Sequence, residues 1–313
     1  MPTPVRDSLR AALLESRNPD GGWGYRAGKK SRIEPTSFAL IALAGVGRAQ
    51  GPAPTDGTSG VEPGLDAPAA VDAATVFERF ERRDGLLIDP GATHPNIAFN
   101  GVAALAALYP PLGARGFAAE LLDVLVKRRG AEVPPSPYIV QDNTLIGWPW
   151  LDGNFAWVEP TAWCLLALKK RIRETQPDGD VVERIDQAER LLRDRMCRGG
   201  GWNYGNRLVM DKSLRPYAST TALGLLAMQD RPEDAAVKAS REVLKRLCDR
   251  ERSGYALALG ALAFARLGMP NAKLESALVD VWQQTGFAGD VVPTALALYV
   301  VEGRESGYEA FRI

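Results

Sequence analysis

A chain of 313 residues with 46% hydrophobic content is long enough to bury a large core. Its 38 Lys and Arg balance 38 Asp and Glu, so no net field recruits nucleic acid or holds the chain on an anionic membrane. Three cysteines, Cys164, Cys197 and Cys248, are too few and too scattered for a disulfide framework. The opening MPTPVRDSLRAALL lacks the apolar core of a signal peptide, which makes the cytoplasm the expected compartment.

In chain order, the first element is the amphipathic stretch VRDSLRAALLESR, with apolar residues returning at three- and four-residue steps. The turn NPDGGWGY follows, and then the apolar run PTSFALIAL from Pro35. Residues 48–73, RAQGPAPTDGTSGVEPGLDAPAAVDA, are rich in Pro, Gly, Ala and Asp and read as a mobile surface insertion. The alternation then resumes: DAATVFERFERR precedes NIAFNGVAALAAL, FAAELLDVLVKRR precedes PTAWCLLAL, and VVERIDQAERLLRDRMC precedes ASTTALGLLAM. Finally EDAAVKASREVLKRLCD precedes GYALALGALAFARLG, and NAKLESALVDVWQQ precedes PTALALYVV. The pattern predicts twelve helices in six pairs. The apolar set must be covered on every side and the amphipathic set on one face, so the first is inner and the second outer. Six such hairpins predict an all-α (α/α)6 toroid over residues 1–313, in one domain; the longest apolar runs are too short to span a membrane. Pro35, Pro160 and Pro293 stand just inside inner helix starts, where a missing N–H costs nothing, each followed by Thr.

The Gly-rich turns NPDGGWG and RGGGWNYG both carry a Trp between an outer and an inner helix, as a staple would. Trp23 lies 12 residues before Pro35, and Trp148 lies 12 before Pro160. NPDGGWG is similar to the squalene–hopene cyclase repeat Q-x(2–5)-G-x-W, with Arg17 in place of the Gln, and EPTAWCLLAL is similar to that family's inner helix starts. The chain thus resembles, over nearly its whole length, the terpenoid cyclases and protein prenyltransferase β subunits.

That resemblance implies a toroid whose cavity binds an isoprenoid or other hydrophobic chain, and it directs attention to certain residues. The prenyltransferase zinc site of Asp, Cys and His has no counterpart, since His94 is the single histidine and no Asp stands two residues before any Cys. No metal and no cofactor are expected. A class II cyclase donates a proton from the middle Asp of D-x-D-D-T-A. DVVPTA keeps the first Asp, Asp290, but has Val292 and Pro293 where the other two would be. Glu34 in IEPTSF and Glu159 in VEPTAW stand where the middle Asp would, two residues before the helical Thr. A buried carboxyl is readily kept protonated, so Glu34, Glu159 and Asp290 are the catalytic candidates; equally, acids at helix starts stabilise the helix.

Trp148, Trp150, Trp157 and Trp163 surround Glu159 in sequence, and with Phe99 and Tyr217 they are candidates for lining a substrate cavity. Trp163, Phe99 and Tyr217 are expected to line a centre wide enough for a chain of isoprene units. His94 and Arg215 precede inner helices and are expected at the same rim, where a diphosphate would bind. A proton-initiated cyclase with a degenerate acid motif is the leading expectation. The alternative is a non-catalytic toroid that binds a lipid or a protein partner, with peripheral membrane contact allowed. A carbohydrate-cleaving barrel would need paired carboxyls about 5–9.5 Å apart, and Glu34 and Glu159, two units apart, are expected to be farther than that.

Overall fold

Helices that are apolar on nearly every side must be covered by one another and by a second layer. The computed structural model, which describes residues 3–46, 73–134, 140–173 and 179–313, has that arrangement. Among the described residues twelve α-helices alternate between two layers. The outer layer is α1 (Thr3–Glu15), α3 (Ala73–Phe77), α5 (Arg115–Leu125), α7 (Gly179–Asp194), α9 (Ala235–Cys248) and α11 (Ala272–Thr285). The inner layer is α2 (Ile33–Val46), α4 (Ile97–Ala107), α6 (Val158–Ile172), α8 (Ala218–Ala227), α10 (Gly254–Arg266) and α12 (Val291–Ser306). Each inner helix packs on the next, and α12 packs back on α2, which closes the ring. The outer helices cover it, α1 against α12, α5 against α4 and α7 against α6. The chain is therefore an (α/α)6 toroid. The expected insertion at 48–73 lies outside the described residues except for Ala73, the first residue of α3. Two short antiparallel hairpins decorate the connections: β1 (Glu81–Arg83) with β2 (Leu86–Ile88), and β3 (Leu208–Val209) with β4 (Lys212–Ser213).

One device recurs at the Gly-Trp turns. The last carbonyls of a helix have no partner within it. The indole Nε1–H of Trp23 donates to Leu13 O at 2.8 Å, that of Trp148 to Leu125 O at 2.7 Å and that of Trp202 to Leu192 O at 2.6 Å, near the ends of α1, α5 and α7. The backbone N–H of the same Trp donates to a Thr hydroxyl in the following inner helix, Thr36, Thr161 or Thr221, at 2.9–3.0 Å. Each Trp thus ties the outer helix before it to the inner helix after it. In the second unit Leu87 and Asn100 take these places, with the Leu87 N–H donating to Asn100 Oδ1 at 2.8 Å and Asn100 Nδ2–H donating to Leu87 O at 3.0 Å. The glycine before the Trp leaves room for the hydroxyl: a Cβ at Gly147 would stand 2.6 Å from Thr161 Oγ1, and one at Gly201 2.9 Å from Thr221 Oγ1.

The middle of the ring is filled on one side. Trp163 packs edge-on to Phe38 across the ring with centroids 5.6 Å apart, and Phe311 lies 5.5 Å from Tyr299 and 6.4 Å from Trp163. The end of the chain is fastened there. Lys170 Nζ donates to Glu309 O at 2.6 Å, Gln229 Nε2 donates to Phe311 O at 2.8 Å, and the Tyr299 hydroxyl accepts from the Ala310 N–H at 2.9 Å. Trp163, expected to line an open centre, is packed here instead, because aromatic side chains and the C-terminal turn occupy that side of the ring.

Candidate functional site

A cavity of about 580 Å³ lies at the end of the ring where the inner helices begin. Glu34 is the second residue of α2, Glu159 the second of α6, and Asp290 directly precedes α12. All three line this cavity, with Phe99 and Trp150 on one side and Tyr255, Ser253 and Arg252 of the α10 start on another. Tyr25, from the turn after Trp23, completes the wall, and its carbonyl accepts the Val291 N–H at 2.9 Å, joining the first unit to the last. Helix starts face inward because Pro and Thr fix the first turn, so an acid just before the proline is carried to the rim in more than one unit.

The electrostatics of these groups follow from burial and mutual repulsion. Glu34 is pushed up to about 7, first by burial and further by the charges of Glu159, Asp290 and Asp89. Against this, the Tyr25 hydroxyl donates to Glu34 Oε2 at 2.6 Å and favours the charged form. Burial also raises Glu159, opposed by hydrogen bonds from Trp163 and Tyr255, the latter at 3.5 Å. Asp290 is raised by burial, opposed by the Val292 N–H, which it accepts at 3.0 Å as the cap of α12. Asp89 is raised in the same way and accepts the Ile33 N–H at 2.8 Å. Tyr25 and Tyr255 are pushed well above the ordinary phenol range by burial and the neighbouring carboxylates, so both remain donors. Among the described residues, no group of three or more His, Cys, Asp or Glu is placed to hold a metal ion, and the three cysteines are buried and free.

Other residues singled out in the sequence lie elsewhere. Trp148 is buried as a staple under Arg184, whose guanidinium carbon stands 3.5 Å from its ring centre, and Trp163 is buried in the packed side of the ring. Trp157 stacks on Phe155 outside the cavity, and Tyr217 is half exposed beside Tyr204. His94 and Arg215 are exposed, and neither reaches the cavity wall. Tyr25, Asp89 and Tyr255 escaped the sequence reading. Tyr25 was in plain view in the GGWGY turn, but nothing in a single turn indicates that its hydroxyl faces an acid nine residues on.

No family model matches the chain, and no curated protein matches it. Solved structures do. An inactive double-aspartate variant of an α-1,6-mannanase from Salegentibacter sp. HEL1_6, in complex with α-1,6-mannotriose, matches with a TM-score of 0.63 at 9% identity, over 97% of this chain and 99% of that one. The cellobiose 2-epimerase from Spirochaeta thermophila matches at 0.56 and 12% identity, over 97% and 98%. A type II terpene cyclase, MstE from Scytonema, matches at 0.52 and 18% identity, over 90% and 77%. At these identities the common property is the toroid fold.

The expectation of an isoprenoid-binding, cyclase-like toroid is corrected by these findings. The mannanase agrees over the whole of both chains, whereas the terpene cyclase agrees less well and over less of its own length. The non-catalytic lipid-binding or protein-interaction alternative gains no support from either. The cavity sets three carboxyls among its apolar and aromatic wall, and each charged carboxylate there costs desolvation that a hydrocarbon could not offset with hydrogen bonds. Glu34 and Glu159, although two units apart in the chain, line the same cavity, and the charge of Glu159 raises Glu34. No helix among the described residues is long and apolar enough to cross a membrane.

Proposed function

We propose that the chain is a sugar-processing enzyme of the glycoside-hydrolase type, in which Glu34 is the general acid and Glu159 the second carboxyl of the pair. The observation that carries this reading is the convergence of three carboxyls, from three separate units, on one cavity of about 580 Å³. That volume lies within the ~300–1,000 Å³ of small-molecule sites. Acid–base work needs two carboxyls in different protonation states at one pH. Glu34, held near 7, is still largely protonated below neutrality; burial raises Glu159 as well, and it is the hydrogen bonds from Trp163 and Tyr255 that oppose this and favour its charged form. In hydrolysis, Glu34 gives its proton to the glycosidic oxygen as the C–O bond breaks. Glu159 takes a proton from the water that adds to the sugar carbon, and the two carboxyls return to their starting states by exchange with solvent. Tyr25 fixes the orientation of Glu34 through its 2.6 Å hydrogen bond. Asp290, capped on α12, adds negative charge that holds the Glu34 proton. The fold shared with a mannanase and a cellobiose 2-epimerase supports the same substrate class.

Incubation with α-1,6-manno-oligosaccharides and cello-oligosaccharides, with products followed by mass spectrometry and proton NMR, tests this reading. Turnover by the wild type and a loss of roughly 100-fold or more in Glu34→Gln and in Glu159→Gln are expected. Turnover that survives both substitutions would remove these residues from the chemistry.

A further inference from the structure

On the segments that lead into α6 and α8, two pairs of aromatic rings stand open to water. Phe155, 43% exposed, stacks on Trp157 with centroids 4.7 Å apart and planes 29° apart. Tyr204 and Tyr217, 53% and 49% exposed, lie 5.3 Å apart at 42°. The pairs are neighbours by construction. Trp157 and Tyr217 are the residues that cap the starts of the adjacent inner helices α6 and α8, and the Val158 N–H donates to Tyr204 O at 3.1 Å, binding one pair's segment to the other's. Glu159 follows Trp157 by two residues, and Trp150, from the same segment, lines the cavity itself.

Burying a large ring is among the most favourable things a fold can do with it, so several rings stacked and left at one rim indicate a ligand. The rings are interleaved with amide side chains: Gln141 Nε2 donates to Asn206 Oδ1 at 2.9 Å, and Asn203 Nδ2 donates to Asn206 O at 2.8 Å. Those amides already pair with one another and with the backbone, and so hold the segment that carries Tyr204 in place. What the segment offers a ligand is the open faces of the rings, and a pyranose has an apolar C–H face that lies flat on an aromatic ring. Rings held by two torsions each also lose little freedom when a ligand arrives.

We propose that this aromatic rim is an outer binding site for a saccharide, holding the units of a chain whose end occupies the carboxylate cavity; the inference rests on the sugar-processing reading above. The cavity selects the reacting unit, and the rim gives affinity that grows with chain length.

The test is a fluorescence titration of the wild type, Phe155→Ala, Tyr204→Ala and the double variant with manno- and cello-oligosaccharides of increasing length, together with a glycan array. All are prepared in a Glu34→Gln background to stop turnover, and thermal melting is measured in parallel. The expected result is wild-type affinity that rises with length, and a loss of about tenfold for the long oligosaccharides in the double variant. Binding of the shortest saccharides and the melting temperature should not change. Length-independent affinity, or long-chain affinity unchanged in the double variant, would overturn the outer site while leaving the cavity reading intact. An array on which no saccharide binds would overturn both. Sedimentation of the wild type with phosphatidylcholine vesicles, lost in the double variant, would assign the rings to a membrane surface and overturn the proposal.

Discussion

At the scale of single residues, Glu34 sets a conflict between stability and chemistry. Its folded-state value of about 7 is above the ordinary 4.5, so between those values the folded chain binds the proton that the unfolded chain has lost. The stability this group contributes is full below about 4.5 and is lost as the pH rises through about 7. Glu34→Gln keeps the shape and removes the buried charge. At pH 8 it should therefore melt above the wild type, by on the order of 1 kcal/mol, with the difference closing as the pH falls toward 5. Thermal melting across that range checks this, and a variant destabilised equally at both ends would contradict it. Tyr25→Phe acts in the other direction on the same group. It removes a hydrogen bond that favours the carboxylate, so Glu34 should titrate higher and the alkaline limb of the pH–rate profile should move up by about one unit. A limb that stays put would show that Tyr25 does not reach Glu34 in solution.

At the scale of elements, the Trp staples set how firmly the two layers are joined. Trp148→Phe leaves the Leu125 carbonyl without its indole partner in a buried place and shrinks a ring packed under Arg184. The expected cost is about 2–4 kcal/mol by denaturant unfolding, whereas Trp150→Phe, at the cavity wall, should cost much less. Equal costs would contradict the staple. The elements were readable in the sequence because inner and outer helices differ in kind: NIAFNGVAALAAL is apolar all round and FAAELLDVLVKRR on one face. The repeated Pro-Thr starts then fixed the phase, because Thr36 and Thr161 are the residues that hold the staple backbones. The second staple was hidden, since Leu87 and Asn100 keep the 13-residue spacing of Trp23 and Thr36 with different chemistry. The fourth was displaced to a spacing of 19 by the β3–β4 hairpin. Proximity in sequence to Glu159 was a partial guide to the aromatics: Trp150 lines the cavity and Trp163, packed on Phe38, hydrogen-bonds Glu159, whereas Trp148 faces the outer layer and Trp157 stacks on Phe155.

For the whole molecule, ring closure turns a repeat into a site. Carboxyls far apart along the chain meet because every unit delivers its helix start to one rim, while the packed C-terminal turn around Phe311 closes the opposite side. Glu34 and Glu159 belong to units two apart in the chain; Phe38 of α2 and Trp163 of α6 touch across the ring at 5.6 Å, and the starts of both helices open on the same cavity. The most direct measurement is the pH–rate profile of oligosaccharide turnover by the wild type beside Glu34→Gln. Turnover by the wild type that declines as the pH rises through about 7, and is lost in the variant across the range, is the expected result. Wild-type turnover with no limb near 7, or a variant that retains the wild-type rate and profile, would contradict acid catalysis by Glu34.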